Sequence, residues 1–357
     1  MNVLQETLGL ISPANQKAVD RAWLKIDNLT KPIGSLGMLE DIAAKLAGIY
    51  GHTNKVAFKK NIVIMCADNG IVDENVSTCP QEVTHIVTDN FTKDITGVAA
   101  LASFTESDIT IIDIGVKGEF NNPLIHDYKI MNGTYNMAKG PAMTRHGVIK
   151  AIGVGICTID RLVLEGYNLF GTGEMGVGNT TTSAAVLSVL EDISVDIATG
   201  KGSGLTDEQY LHKKKMIEKA IHVNQPNKDD VIDVMAKVGG LDIAGLCGCY
   251  LGAAKNKMPI VIDGFIASVA ALCALKLSPY IKDYIFPSHL SAEPGSVYAI
   301  EALGLEPILL LKLRLGEGSG CPLAFTVIEA ALHTMLSMGT FEEAKVDSAT
   351  YVDIREY

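Results

Sequence analysis

Hydrophobic residues near both ends of the chain recur with the spacing of an α-helix. Apolar side chains return every three or four positions from Val19 to Ile26 and again from Leu39 to Leu46, which places them on one helix face. Ser12-Pro13 has the residue types that begin a helix, so we predict that the first of these helices begins there. The same spacing returns from Ile328 to Leu336, and Pro322 is predicted to occupy the first position of that helix.

The middle of the chain has a different pattern, in which short apolar runs end abruptly at Asp or Gly. Helix-like stretches separate these runs, and near-continuous apolar strands that alternate with helices predict a parallel sheet covered on both faces. The predicted strands are Ile62–Ala67, Ile109–Ile114, Tyr167–Phe170 and Ile260–Ile262. The predicted helices are 83–91, 143–165, 180–190, 208–221, 229–238, 242–254 and 265–275.

These patterns predict an α/β fold with two domains. Residues 56–299 are expected to form a large Rossmann-like domain, a parallel sheet flanked by helices, that carries the active site. Residues 1–55 and 300–357 are expected to form a small helical domain from both terminal segments. Because ligands of parallel sheets bind at the carboxyl ends of the strands, we expect the polar and glycine-rich residues there to form the site.

The composition narrows the classes of function. The 357 residues carry 30 Lys and Arg against 41 Asp and Glu, a net charge of −11, and 48% are hydrophobic. The chain therefore has enough apolar residues for a large core, and its acidity argues against nucleic acid or an anionic membrane as a partner. The N-terminus lacks a basic segment followed by a long apolar one, so we predict no signal peptide, and we predict no membrane span.

The seven cysteines have no spacing typical of a zinc site, because no pair has the C-x-x-C pattern. Most of them lie in apolar runs, so we predict buried, reduced thiols in a cytoplasmic protein. The eight His residues show no metal-binding pattern such as H-E-x-x-H. The sequence therefore predicts no bound metal.

The densest glycine pattern is GTGEMGVGNTT at residues 171–181, between a predicted strand and a predicted helix. Glycines let backbone N–H groups approach an anion closely, and a helix N-terminus adds partial positive charge, so this loop predicts a phosphate site. The loop Gly200–Gly204 is a second candidate, in which Lys201 would add charge. Two other interpretations stay open here: a turn that binds nothing, and the G-x-G-x-x-G loop of an NAD(P)-dependent oxidoreductase.

A carboxylate flanked by glycines lies in the segment LGEGSG, residues 315–320. We expect the dipole of the helix near Pro322 to keep Glu317 ionised. An ionised, partly desolvated Glu is suited to act as a general base, although a loop that simply exposes Glu317 to water has the same pattern. His289 is interpreted as a structural hydrogen-bonding residue, because no G-x-S-x-G nucleophile elbow accompanies it.

Several segments, in the same order along the chain, resemble segments of one protein family. Together with residues 171–181 they are KPIGSLG (31–37), CADNG (66–70), PQEVT (80–84), NQPN (224–227), KVGGLDIAGLCG (237–248), PIVIDGF (259–265), PSHLSAEPG (287–295) and RLGEGSG (314–320). The chain resembles the nicotinate-nucleotide–dimethylbenzimidazole phosphoribosyltransferase family over nearly its whole length. The resemblance implies a parallel α/β sheet with a small helical domain, in a cytoplasmic homodimer.

The resemblance also implies a reaction of the glycosyltransferase class. The 5-phosphoribosyl group of nicotinate mononucleotide would pass to 5,6-dimethylbenzimidazole, giving α-ribazole 5′-phosphate and nicotinate, in nucleotide-loop assembly of cobalamin. The implied partners are these small-molecule substrates. No cofactor or metal is expected, because no pyrophosphate has to be neutralised.

Roles of individual residues follow from the same resemblance. The family's catalytic base is the Glu of the R-L-G-E-G-S-G segment, which is Glu317 here, and it would accept the N–H proton of the attacking base. Glu174 would assist proton transfer or bind the ribose hydroxyls. The residues implied in substrate binding are Gly176, Val177, Gly178, Asn179, Thr180, Gly202, Ser203, Gly204, Lys213, Asp263, Ser291, Leu315, Cys79 and Gln81.

The sequence departs from the family pattern at two places. Asn69 stands where relatives commonly carry His, and Cys79 and Gln81 stand in the base-pocket segment where a relative carries Ser and Lys. These departures leave the preferred base open, with purines or phenolic bases as other acceptors. A nicotinamide-dependent oxidoreductase and a non-catalytic nucleotide- or α-ribazole-binding protein are the alternative functions.

Overall fold

The structure is a computed structural model that describes residues 3–202, 204–348 and 351–355. Its centre is a parallel sheet of six strands in the order β3-β2-β1-β4-β5-β6. The strands are β1 (Lys60–Ala67), β2 (Asp108–Gly115), β3 (Ile125–Asp127), β4 (Leu169–Met175), β5 (Ile260–Ile262) and β6 (Ile285–Pro287). The chain runs outward from β1 on one side and then outward from β4 on the other, so the strand order reverses between these two strands.

Helices surround this sheet. They are α1 (Val3–Leu10), α2 (Gln16–Asp27), α3 (Met38–Tyr50), α4 (Glu82–Asn90), α5 (Gly97–Phe104), α6 (Arg145–Leu164), α7 (Asn179–Glu191), α8 (Val195–Ala198), α9 (Asp207–Asn224), α10 (Val231–Val238), α11 (Leu241–Lys255), α12 (Phe265–Leu277), α13 (Gly295–Leu303), α14 (Gly320–Ser337) and α15 (Phe341–Ala344). Short 3-10 helices occupy Gly70–Glu74, Phe91–Lys93 and Pro279–Asp283. The α/β fold class predicted from the sequence is confirmed.

The core lies where α11 packs on the sheet and α6 packs against α11. Every residue of β1 is buried, as is every residue of α11 from Leu241 to Ala254. The two helices approach so closely that a Cβ on Gly155 would lie 2.0 Å from the carbonyl oxygen of Gly245. A Cβ on Gly248 would lie equally close, 2.0 Å, to the carbonyl oxygen of Ile152. Glycine is therefore required at this crossing, because any larger residue would force the two backbones apart.

The four predicted strands are confirmed as β1, β2, β4 and β5. The end predicted for β4 was wrong, because the strand continues to Met175 rather than ending at Phe170, so residues 171–175 of the predicted glycine loop belong to the strand. The elements that were not predicted include β3, β6, α5, α8 and α13. Only Ile125 of β3 is buried, so this strand has no continuous apolar run. The sequence of α5 is GVAALASF, which is apolar on most sides and therefore shows no helical periodicity.

Two predicted helix starts were wrong. Helix α2 begins at Gln16 rather than at Ser12-Pro13, because Asn15 is its N-cap and accepts a hydrogen bond of 3.1 Å from the Ala18 amide. Helix α14 begins at Gly320, so Pro322 occupies its third position. A proline is accommodated there because the first-turn amides have no partner within the helix.

The two ends of the chain contact each other. Leu29 and Thr340 form an antiparallel bridge, and α3 packs against α14. The division into a large domain and a small terminal domain stays a prediction. By length and composition, α14 is the one described helix apolar enough to cross a membrane, but half of it is buried against α3, α5, β4 and β5.

Candidate active site

A cavity of about 290 Å³ opens at the carboxyl ends of the strands. Its walls come from the loops that follow β4, β5 and β6, from α4 and from the segment before α14. Most of the residues predicted for the site line this cavity: Cys79, Glu174, Gly176, Val177, Gly178, Asn179, Thr180, Gly202, Lys213, Asp263, Ser291, Leu315 and Glu317.

The remaining predicted residues have other positions. Gln81 and Gly204 do not line the cavity, and the side-chain oxygen of Gln81 instead accepts a hydrogen bond of 2.6 Å from Lys117 Nζ. Ser203 lies outside the described residues. The roles of the predicted residues in binding stay predictions, but the fold brings most of them to one place.

One wall of the cavity was missed by the sequence reasoning. It is apolar and comes largely from Val76, Val83 and Val87, with Phe265 and Ile266 on the opposite element. Val83 and Val87 are four residues apart on α4, so they lie on one face of that helix. That spacing was visible in the sequence, but nothing in it showed which apolar face would meet a ligand rather than the core.

Glu317 sits in a tight turn. Its φ of 65° is in the left-handed region, between Gly316 with φ 84° and Gly318 with φ 91°, a conformation that costs a non-glycine residue about 1 kcal/mol or more. Its Oε2 accepts a hydrogen bond of 3.3 Å from the Val98 amide in the first turn of α5. Glu317 therefore lies at the N-terminus of α5, and not of the helix at Pro322 as the sequence suggested.

Burial changes the acidity of Glu317. It raises the pKa of this carboxyl above its usual range, while the amides of Val98 and Gly97 act in the opposite direction. Glu317 is half-buried, so it is partly desolvated but still reachable from the cavity. A carboxylate with this environment is a stronger base than an exposed one.

Asp263 holds the turn of Glu317 in place. It follows β5, is fully buried, and accepts hydrogen bonds from the amides of Gly318 at 3.1 Å and Gly320 at 2.7 Å. Burial raises the pKa of Asp263 to about 7, although these amides oppose the rise. The Gly320 amide, the first of α14, is thus bonded to Asp263 and not directed at Glu317.

His289 lies beside this carboxyl. Its Nδ1 is 2.9 Å from Ser288 Oγ and 3.9 Å from Asp263 Oδ1. Burial lowers the pKa of His289 to about 4, so the ring is neutral near pH 7. The structural hydrogen-bonding role predicted for His289 fits this arrangement.

Glu174 is the most enclosed carboxyl of the site. It is buried in β4, and the Asn179 side-chain amide donates a hydrogen bond to its Oε2. Burial raises the pKa of Glu174 well above its usual range, and the nearby charges of Asp242, Asp263 and Glu317 raise it further. These effects favour the protonated, uncharged form of Glu174 at neutral pH.

Lys213 is a buried cation of the cavity, which Lys201 and Arg314 also line. Its Nζ donates to Thr180 Oγ1 at 2.8 Å and to the Gly200 carbonyl at 3.1 Å. Burial lowers the pKa of Lys213 to about 8, and Glu293 opposes this change, so the amine is mostly protonated at pH 7. Together with the N-terminus of α7, it makes this end of the cavity suited to an anion.

The arrangement has three chemically distinct parts. Lys213 and the loop before α7 favour an anionic group, the valines of α4 favour an apolar ring, and Glu317 lies where a proton can be accepted. Among the described residues, no group of His, Cys, Asp and Glu has the geometry of a metal site. Five of the cysteines are buried, as the sequence predicts for most of them, while Cys79 is half-buried and Cys157 is exposed.

Comparison with known proteins gives consistent results. A family model described as "Phosphoribosyltransferase" matches residues 11–346. The nicotinate-nucleotide–dimethylbenzimidazole phosphoribosyltransferase of Clostridium tetani is 55% identical over 357 residues, covering 100% of this chain and 99% of that protein. The enzyme of the same name from Acetivibrio thermocellus is 50% identical, covering 97% of this chain and 98% of that protein.

A solved structure is similar as well. The nicotinate-nucleotide–dimethylbenzimidazole phosphoribosyltransferase from Thermus thermophilus superposes with a TM-score of 0.87 and 36% sequence identity. The match covers 93% of this chain and 99% of that chain.

Proposed function

Because the chain belongs to the nicotinate-nucleotide–dimethylbenzimidazole phosphoribosyltransferase family, we propose that it transfers the 5-phosphoribosyl group of nicotinate mononucleotide to 5,6-dimethylbenzimidazole or a related base. The chain is a phosphoribosyltransferase, a class that neither the oxidoreductase nor the binding-protein alternative shares. The products would be α-ribazole 5′-phosphate and nicotinate, for the assembly of the cobalamin lower ligand.

One observation supports this reaction above the others. The cavity has a half-buried carboxylate, Glu317, and a buried cation, Lys213, with the apolar wall of α4 also facing it. A benzimidazole is a planar apolar ring with a proton to lose, and a mononucleotide has one phosphate. The buried cation suits the phosphate, the apolar wall suits the benzimidazole ring, and the carboxylate can accept the proton.

The proposed mechanism uses Glu317 as the general base. Glu317 accepts the N–H proton of the benzimidazole while the other ring nitrogen attacks C1′ of the ribose. The new C–N bond forms as the bond from C1′ to the nicotinate nitrogen breaks, and the electron pair of that bond leaves with nicotinate. Departure neutralises the positive charge of the pyridinium ring, so the leaving group needs no proton.

The other polar residues of the cavity would bind and orient. Lys213, with the Gly178-to-Thr180 backbone and Ser291, would hold the 5′-phosphate. Glu174, in its uncharged form, would donate a hydrogen bond to a ribose hydroxyl or assist the proton transfer. Leu315 and Cys79 would contact the base.

The proposal also includes the oligomeric state and the cellular compartment of the protein. We expect a cytoplasmic homodimer, because the family resemblance implies that assembly and compartment. The small helical domain from residues 1–55 and 300–357 is part of the same proposal.

A product assay tests the reaction directly. Purified protein is mixed with nicotinate mononucleotide and, separately, 5,6-dimethylbenzimidazole, benzimidazole, adenine or p-cresol, and the mixtures are analysed by liquid chromatography and mass spectrometry. Release of nicotinate together with a base-linked ribotide is the expected result, and the relative yields give the base preference. A folded protein that binds the mononucleotide but forms no ribotide with any base would contradict the proposal.

A further inference from the structure

Thr84 connects two walls of the cavity that belong to different elements. It is a fully buried residue of α4, and its Oγ1 accepts a hydrogen bond of 3.0 Å from the backbone amide of Val177. Val177 lies between β4 and α7, in the loop that also carries Gly178 and leads to Thr180. This amide therefore bonds to α4 and is not free to bind an anion in the cavity.

A hydroxyl has one proton to donate and two lone pairs, so the Thr84 side chain can accept the hydrogen bond of the Val177 amide through its oxygen. A side chain of the same shape without an oxygen cannot accept it.

The residues beside this hydrogen bond face the cavity on both sides. Val83 and Val87 flank Thr84 on α4 and line the apolar wall, while Gly178 and Thr180 follow Val177 and line the anionic end near Lys213. Thr84 does not itself line the cavity. A shift of α4 toward a ring packed on its valines would therefore move the loop through the Thr84–Val177 bond.

We propose that Thr84 is a positioning residue that couples the two substrate sites, so that occupancy of the apolar wall raises the affinity of the anionic end, and the reverse. The inference rests on the proposed function, which assigns the base to one wall and the mononucleotide phosphate to the other. Such a coupling is reciprocal, because each ligand changes the affinity for the other by the same factor.

The test measures this coupling at equilibrium. The Kd of 5,6-dimethylbenzimidazole is determined by isothermal titration calorimetry without and with saturating ribose 5-phosphate, which has the phosphate and the ribose but no leaving group. In the wild-type protein we expect the base to bind at least about fivefold more tightly in the presence of the sugar phosphate. Thr84→Val keeps the shape of the side chain but cannot accept the amide hydrogen bond. In this variant the ratio of the Kd without sugar phosphate to the Kd with it should fall to near one. Thr84→Ser should retain it.

Thr88→Val is the matched control. Thr88 is equally buried and one turn further along α4, but its hydroxyl donates to the Thr84 carbonyl at 2.7 Å and does not contact Val177. This variant should lose stability yet keep the wild-type ratio, so a general loosening of α4 is separated from the specific link. If Thr84→Val does not fold, Thr84→Ala replaces it and the same ratio is measured.

Two results would overturn the inference. One is a wild-type base affinity that ribose 5-phosphate does not change, and the other is a Thr84 variant without the hydroxyl that keeps the wild-type ratio. Failure of the reaction itself is distinguished by the product assay on the wild-type protein, because absence of any ribotide would refute the proposed function and not only the coupling.

Discussion

Glu317 combines a left-handed backbone with a half-buried carboxylate, and the conformation is maintained because Asp263 bonds the amides of Gly318 and Gly320 just after it. The Glu317→Gln variant keeps the size of the side chain and removes its ability to accept a proton. We expect kcat to fall by roughly 10²- to 10⁴-fold, the usual contribution of a general base. The KM for nicotinate mononucleotide should change little, because the proposed phosphate contacts, at Lys213 and the loop before α7, do not involve Glu317. Glu301→Gln, on the exposed face of α13, is the control.

The dependence of wild-type activity on pH is a second test of Glu317 as the general base. Only the deprotonated carboxylate accepts a proton, and burial raises its pKa above 4.5. Activity should therefore be lost as the pH falls, with an acid limb at a higher pH than an exposed Glu would give. A flat profile down to about pH 4.5, the ordinary value for Glu, or near-native turnover in Glu317→Gln, would show that another group is the base.

The raised pKa of Asp263 predicts how the stability of the protein depends on pH. Burial raises its pKa from the usual 3.8 to about 7 in the folded state, so between these values the folded chain holds a proton that the unfolded chain has lost. The stability contribution of this group therefore decreases as the pH rises through that window. Relative to Asp263→Asn, the wild-type free energy of unfolding should fall by up to about 1.4 kcal/mol per pH unit there. Urea denaturation of both proteins at about pH 4.5 and about pH 7.5, near the two ends of the window, measures this difference in the free energy of unfolding. The same difference between wild type and Asp263→Asn at both pH values would contradict the raised pKa of Asp263.

The site residues differ in how far the sequence could predict them. Glu317 was identifiable because glycines on both sides make a carboxylate accessible, and the family pattern gave it a role. Its partner at the N-terminus of α5 was not, because α5 had no visible periodicity and lies more than two hundred residues away in the chain. Val83 and Val87 were missed for a similar reason, since only the packing of α4 determines that they face a cavity.

The crossing of α6 and α11 depends on glycine. A Cβ on Gly248 of α11 would lie 2.0 Å from the Ile152 carbonyl, whereas a Cβ on Gly153 of α6 would meet no atom within 4 Å. Gly248→Ala should therefore destabilise the protein by about 1–3 kcal/mol or more through overpacking. Gly153→Ala should leave stability unchanged or raise it by about 0.5–1 kcal/mol, because alanine is the better helix former. Urea denaturation of both variants checks this, and equal effects would argue against the close approach.

The elements themselves were predictable where burial is strong on both faces. The strand β1 is buried throughout, and its apolar run was clear in the sequence. Helix starts were less predictable, because Asn15 and Ser12-Pro13 are both suitable residue types. Asn15 caps α2 because a tertiary contact decides between them: the preceding Ala14 amide is held by Asp283 at 3.0 Å.

The family resemblance predicts an assembly of two copies of the chain. Sedimentation equilibrium of the purified protein should give twice the chain mass of 38.1 kDa. The exposed Leu10 and Leu24 on the first two helices are available for such a contact, at 64% and 74% exposure. A single-chain mass at micromolar concentration would remove the dimer from the proposal.

The sheet topology also bears on how the enzyme is made. Strand β1 pairs with β4, although about a hundred residues separate them along the chain, and the cavity draws on every loop that follows β4, β5 and β6. Closing such a long loop is slow compared with forming local helices. During synthesis, therefore, the nascent chain can acquire most of its helices while it is still without any catalytic capacity. That capacity requires the segment carrying Glu317, which follows all six described strands in the chain and is therefore synthesised after them.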